Sequence, residues 1–147
     1  MSLLGVLLLP FTLLYSLGVR LRNHLYNIDY SRSFKFEIPV ILAGNLSAGG
    51  SGKTPMIEYL IRLLKDQYKL AILSRGYKRK TSGFRLASAS DGYKDIGDEP
   101  MQYYNKWKED IIMAVCEDRA EAIPKILFER PETQIILMDD GYQHRTV

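Results

Sequence analysis

Apolar residues recur along this chain in two rhythms. The runs Ile38-Pro39-Val40-Ile41-Leu42-Ala43, Lys69-Leu70-Ala71-Ile72-Leu73-Ser74, Ile111-Ile112-Met113-Ala114-Val115-Cys116 and Gln134-Ile135-Ile136-Leu137-Met138 are short and nearly continuous. Such runs predict strands buried on both faces rather than half-exposed ones. Between them the apolar positions take helical spacing. One such segment is Met56–Leu64, and another runs from Glu99 to about Lys108 with Met101, Tyr104 and Trp107 on its inner side. A third lies near 118–129. Strands alternating with helices predict an α/β fold, a parallel sheet with helices on both faces. Residues 75–97 are polar and glycine-bearing, and read as a long loop.

The first 19 residues follow neither rhythm, because Met1–Val19 holds no charged side chain and is dominated by leucine. As a helix it would extend about 28 Å, close to the thickness of bilayer hydrocarbon. A secretory signal is disfavoured, since there is no basic lead-in and no small-x-small cleavage site. A buried core helix remains a rival. Arg20 and Arg22 follow at once, and Tyr26, Tyr30, Phe34 and Phe36 then mix with Arg32 and Lys35. Aromatics beside arginines suit the headgroup layer, though plain core packing explains the tyrosines equally well. The reading divides the chain into a membrane-associated arm at 1–36 and a nucleotide-binding domain at 37–147. Spanning and lying in the interface stay open.

Composition adds bounds. At 147 residues, 46% hydrophobic and 25% charged, the chain has the make-up of one folded domain. The single cysteine, Cys116, excludes an internal disulfide and ends a strand-like run, so it reads as a small buried hydrophobe. With His24 and His144 as the only histidines, a structural zinc site is excluded too. The net charge of +3 arises in the first 36 residues, and no nucleic-acid partner is expected.

Chemistry concentrates in Gly44-Asn45-Leu46-Ser47-Ala48-Gly49-Gly50-Ser51-Gly52-Lys53-Thr54, between the first strand and the first helix. Strand, glycine-rich turn and helix is the setting in which Gly-Lys-Thr cradles phosphate. Glycines let backbone N–H groups converge on an anion, and the helix N-terminus adds partial positive charge. Asn45, Ser47, Ala48, Gly49, Gly50, Ser51 and Gly52 would line this loop. Lys53 would reach the β/γ-phosphates and Thr54 would ligate Mg²⁺. Ser47 stands where the usual G-x-x-x-x-G-K-[ST] pattern has its first glycine, and Pro55 is tolerable only in the first helical turn. The last strand then delivers Asp139 and Asp140, the place where phosphate-loop enzymes hold Mg²⁺. Alone, Asp139-Asp140-Gly141 would read as an acidic turn. The fold expectation is therefore a P-loop NTPase-like parallel sheet, with both motifs at its carboxyl edge. Asp98 either caps the helix it precedes or accepts a proton from an acceptor hydroxyl. The basic run Arg75, Lys78, Arg79, Lys80 and Arg85 is either a solvated loop or a clamp for an anionic acceptor or lipid headgroups.

Together, GNLSAGGSGKTP at Gly44–Pro55, SRGY at Ser74–Tyr77 with GDEP at Gly97–Pro100, and DDGYQH at Asp139–His144 resemble the tetraacyldisaccharide 4'-kinase (lipid A 4'-kinase) family. The hydrophobic N-terminal helix and the spacing resemble it as well. The resemblance implies ATP-dependent phosphorylation of the 4'-hydroxyl of an acylated glucosamine disaccharide, at the cytoplasmic face of a bacterial inner membrane. Lys53 and Thr54 match that family's loop lysine and metal-binding threonine, Asp98 its acceptor-activating aspartate, and Asp139 and Asp140 its acidic pair. Arg75 matches a position near the phosphates. Ser47 fits a family that tolerates a hydroxyl residue there. The resemblance covers essentially all 147 residues but only the N-terminal half of a member, so a truncated form is expected. The missing lobe would close over the nucleotide and supply a histidine to the aspartate matching Asp98, a role not transferred to His24 or His144. Two rivals remain, a membrane-recruited NTPase switch and a small-molecule kinase with an incidental apolar N-terminus.

Overall fold

A computed structural model of the chain describes residues 3–27, 35–44 and 52–139. The chain forms two compact units, divided between Phe34 and Lys35. The first unit holds helix α1 (Leu3–Asn27), which carries Pro10 inside it. Large apolar side chains of α1 face solvent, among them Phe11, Leu13, Leu14, Tyr15 and Leu17. Among the described residues no helix is long and apolar enough to cross a membrane.

Among the described residues the second unit is built on a five-stranded sheet. Its strands are β1 (Val40–Ala43), β2 (Leu70–Ser74), β3 (Arg85–Leu86), β4 (Ile111–Val115) and β5 (Ile135–Asp139). They lie in the order β1-β5-β2-β4-β3. The pairs β1/β5, β5/β2 and β2/β4 are parallel, as the continuous apolar runs predict. The sheet is nonetheless mixed, because β3 joins β4 antiparallel. This edge strand corrects the all-parallel expectation. Two residues carry no periodic signal, and what fixes β3 is a side-chain pair. Arg85 donates to the buried carboxylate of Asp91, which also accepts from Ser88 N at 2.8 Å and Ser88 Oγ at 2.9 Å.

Helices cover both faces. On one, α2 (Lys53–Leu64) and α4 (Asp98–Trp107) bury Ile57, Ile61, Tyr103 and Trp107 against Leu70, Ile72, Met113 and Leu137. On the other, α5 (Arg119–Glu129) sets Ala122, Ile123 and Ile126 on Ala71, Leu73, Ala114, Ile136 and Met138. Cys116 is buried in this second cluster, as its place in the sequence suggests. Asp118 caps α5, accepting from Ala120 N at 2.9 Å and Glu121 N at 3.2 Å. A single-turn helix α3 (Tyr93–Ile96) lies within the segment read as loop.

One interhelical clamp fixes α4 to α2. The Glu58 carboxylate, almost fully buried, accepts from Lys106 Nζ at 2.7 Å and Gln102 Nε2 at 3.0 Å, both on α4. The hydrogen bond from Lys106 holds the Glu58 carboxyl below its ordinary value of 4.5, more than offsetting the upward push of burial. The α4 phase differs from expectation. Its buried residues are Pro100, Tyr103 and Trp107, whereas Met101 and Tyr104 are only partly covered.

Candidate nucleotide site

Register gathers the site. Ala43, the last residue of β1, stands level with Asp139, the last of β5. Leu73 is level with Met138 and Ser74 with Val115, so the carboxyl ends of four strands share one edge. Ligands of parallel sheets bind at this edge. Gly44 leaves β1 there, and Gly52 returns the chain into α2 with φ 77°, a left-handed conformation that suits a residue without Cβ. Lys53 and Thr54 are the first two residues of α2, and Pro55 is the third, inside the first turn where its missing N–H is harmless. Gly44, Gly52 and Lys53 line a cleft of about 360 Å³ whose other walls are Leu42, Ala43, Met56 and Leu60.

Asp139 is 2% exposed. The Tyr103 phenol donates toward Asp139 Oδ2 across 3.4 Å. Thr54 meets the same phenol and donates toward Glu99 Oε1 at 3.4 Å. Burial above all, and then the charge of Asp139, pushes the Tyr103 phenol far above its ordinary value of 10.0. Thr54, Glu99 and Asp139 offer hydroxyl and carboxylate oxygens only, a donor set for a hard cation. Among the described residues no group of three or more His, Cys, Asp or Glu could cage a metal alone.

Asp98 is the first residue of α4 and is exposed, while the N-cap is Gly97, with no side-chain capping bond. The capping alternative for Asp98 is thus set aside. Gly97 has φ 97°, and a Cβ there would stand 2.9 Å from Tyr77 O and 3.0 Å from Gly76 C. The turn after β2 and the turn before α4 therefore touch backbone to backbone, which requires glycine.

The basic segment splits in two. The Arg79 side chain is buried and donates to Glu117 Oε1 at 2.6 Å and Gly83 O at 2.6 Å. Arg85 is committed to Asp91, whereas Arg75, Lys78 and Lys80 are exposed. Arg75, Lys78 and Tyr77 flank an open cleft of about 290 Å³.

A sequence profile of the tetraacyldisaccharide-1-P 4'-kinase (LpxK) family matches residues 4–147. The chain belongs to this family. The tetraacyldisaccharide 4'-kinase of Flavobacterium johnsoniae is 49% identical over 147 residues, covering 100% of this chain and 43% of that protein. That of Parabacteroides distasonis is 50% identical over 143 residues, covering 96% of this chain and 38% of the relative. A crystal structure of LpxK from Aquifex aeolicus, described as in complex with ATP, superposes with TM-score 0.83 at 38% identity, covering 98% of this chain and 46% of that one. The chain thus spans less than half the length of the LpxK relatives it matches.

Of the positions matched to LpxK motifs, Gly52, Lys53, Thr54, Arg75, Asp98 and Asp139 all lie in or next to the elements that meet at this edge. Asn45, Ser47, Ala48, Gly49, Gly50, Ser51 and Asp140 fall outside the described residues. Sequence reasoning passed over Glu99 and Tyr103. Glu99 adjoins Asp98 in GDEP and could have been found as a second carboxylate on the first turn. Tyr103 was hidden by the wrong helical phase.

Proposed function

We propose that the protein carrying this chain transfers the γ-phosphate of ATP to the 4'-hydroxyl of an acylated glucosamine disaccharide 1-phosphate, a lipid A precursor. The observation that carries this reading is the convergence of Lys53, Thr54 and Asp139 at one sheet edge, with Asp98 at the head of α4, in a chain of the LpxK family. Lys53 and the loop amides of 47–54 would hold the phosphates, and Lys53 would stabilise charge developing on them. Arg75 would add a second cation on the phosphate side. Thr54, Asp139 and Asp140 would hold Mg²⁺, which when bound neutralises charge between the β- and γ-phosphates. Asp98 accepts the proton of the attacking hydroxyl, a role that its exposed place at the sheet edge permits.

The anionic headgroup of the acceptor suits the cleft flanked by Arg75, Lys78 and Tyr77. Acyl chains that stay in a bilayer require the enzyme to work at its surface. The uncharged stretch Met1–Val19, the exposed leucines and aromatics of α1, and the following Arg20 and Arg22 support an interfacial seat for the 1–36 arm, on the cytoplasmic face of the inner membrane. Residues 37–147 would then be the kinase domain.

The test is transfer of labelled γ-phosphate, followed by chromatography of the lipid product. Labelled disaccharide supports the reading, and Lys53→Ala should abolish its formation. Release of free phosphate without labelled lipid would favour an NTPase switch, and label on a water-soluble acceptor alone would favour a small-molecule kinase.

A further inference from the structure

Tyr103 is among the largest fully buried side chains of the chain, yet it brings a hydroxyl into the core. A buried phenol must find a partner or lose the desolvation energy of its O–H, whereas phenylalanine would fill nearly the same space without that cost. The partners it finds are Asp139 at 3.4 Å and Thr54, two residues that the nucleotide reading assigns to the metal. They sit on different elements, Thr54 on the first turn of α2 and Asp139 at the end of β5. Tyr103 itself belongs to α4, whose first residue is Asp98. One phenol therefore touches two walls of the site from the helix that carries the third. The Glu58 clamp to Lys106 and Gln102 lies on the same α2–α4 seam and holds the two helices in place.

We propose that Tyr103 is a positioning residue, whose hydroxyl orients Asp139 and Thr54 toward a bound divalent cation and ties their placement to that of Asp98. The contact is longer than an ordinary O–H···O bond, as is common where a site tightens only on binding ligand. Metal ligands are routinely fixed by such outer contacts, and losing one typically weakens metal affinity by about 10-fold or more. This inference rests on the reading of the site as one for a metal-bound nucleotide.

The test compares Tyr103→Phe with Tyr103→Leu in the full chain, using Mn²⁺ binding in the presence of ATP, read by electron paramagnetic resonance, alongside thermal unfolding. The phenylalanine variant should keep the wild-type unfolding midpoint and bind Mn²⁺ about 10-fold more weakly. The leucine variant should lose stability as well, because it also removes the ring. Equal Mn²⁺ affinity in Tyr103→Phe and wild type overturns the proposal. So does a Phe variant whose weaker binding is fully accounted for by lost stability. Should the Phe variant fail to fold, wild-type protein with ring-labelled tyrosine gives an independent answer. Bound Mn²⁺ should broaden the Tyr103 resonance while leaving exposed Tyr93 sharp, and an unbroadened Tyr103 would again overturn it. If wild type binds no Mn²⁺ with ATP, the nucleotide reading itself fails, an outcome distinct from a wild type that binds and a Phe variant that binds equally.

Discussion

Replacing Glu58 by glutamine probes the α2–α4 clamp with little change in volume. The carboxylate accepts from Lys106 at 2.7 Å, Gln102 at 3.0 Å and Arg62 at 3.4 Å. Glutamine keeps one acceptor oxygen and loses the charge. A hydrogen bond to a charged group contributes about 1.5–3 kcal/mol. Lys106 and Arg62 are 48% and 62% exposed, however, and water replaces much of what they lose. The expected cost of Glu58→Gln is therefore about 1–2 kcal/mol at neutral pH. In a unit of this size that lowers the thermal midpoint by about 3–8 °C. The pH dependence follows from the direction of the shift. The Glu58 carboxyl sits below its ordinary 4.5 in the folded protein. Its stabilisation is thus complete above 4.5 and is lost as pH falls through the lower folded value. The gap between wild type and Glu58→Gln, measured by urea unfolding along a pH series, should be widest near neutrality and close below 4.5. A gap that persists unchanged into acid would refute the assignment of the stability to the ionised carboxylate, and no gap at neutral pH would refute the clamp.

Other substitutions test other parts of the chain. Asp98→Asn should leave Mg·ATP binding intact and slow phosphoryl transfer about 100- to 10,000-fold, so a transfer rate near wild type would remove Asp98 from the chemistry. Gly97→Ala forces a Cβ against Tyr77 O and Gly76 C at a φ of 97° and should cost about 2 kcal/mol or more in chemical unfolding. Ile61→Ala empties a fully buried position between α2 and the sheet and should cost about 2–5 kcal/mol in the same assay. Deleting residues 3–27 should abolish co-sedimentation with anionic vesicles while leaving nucleotide binding unchanged.

Much of the sheet was legible because parallel strands are buried on both faces and must be written as unbroken apolar runs. Ile111–Val115 and Ile135–Met138 need no alternation to be recognised. Strand β3 escaped because its two residues are held by a charge pair, Arg85 with Asp91, whose partner lies six positions on and whose pairing is tertiary. The burial of the Arg79 side chain was equally hidden, since Glu117 comes from the turn after β4. Tyr103 was passed over because Met101, Tyr104 and Trp107 form an apolar series at nearly the same spacing as Pro100, Tyr103 and Trp107. Hydrophobicity alone does not separate two stripes one residue apart. The candidate site residues were read from local chemistry, glycine with lysine and threonine, or aspartate after an apolar strand. The Tyr103 contacts that reach Thr54 and Asp139 come from another helix and could not be read from local sequence.

The glycine seam between the turn after β2 and the turn before α4 limits how the candidate site can open. With main chain pressed on main chain there, no side chain can rotate aside to open a gap. The flank bearing Arg75 and the head of α4 are therefore packed too closely there for a side chain to stand between them. If the protein acts on a bulky acceptor as proposed, room for it to enter and for its product to depart would come from displacement elsewhere around the cleft rather than from this join.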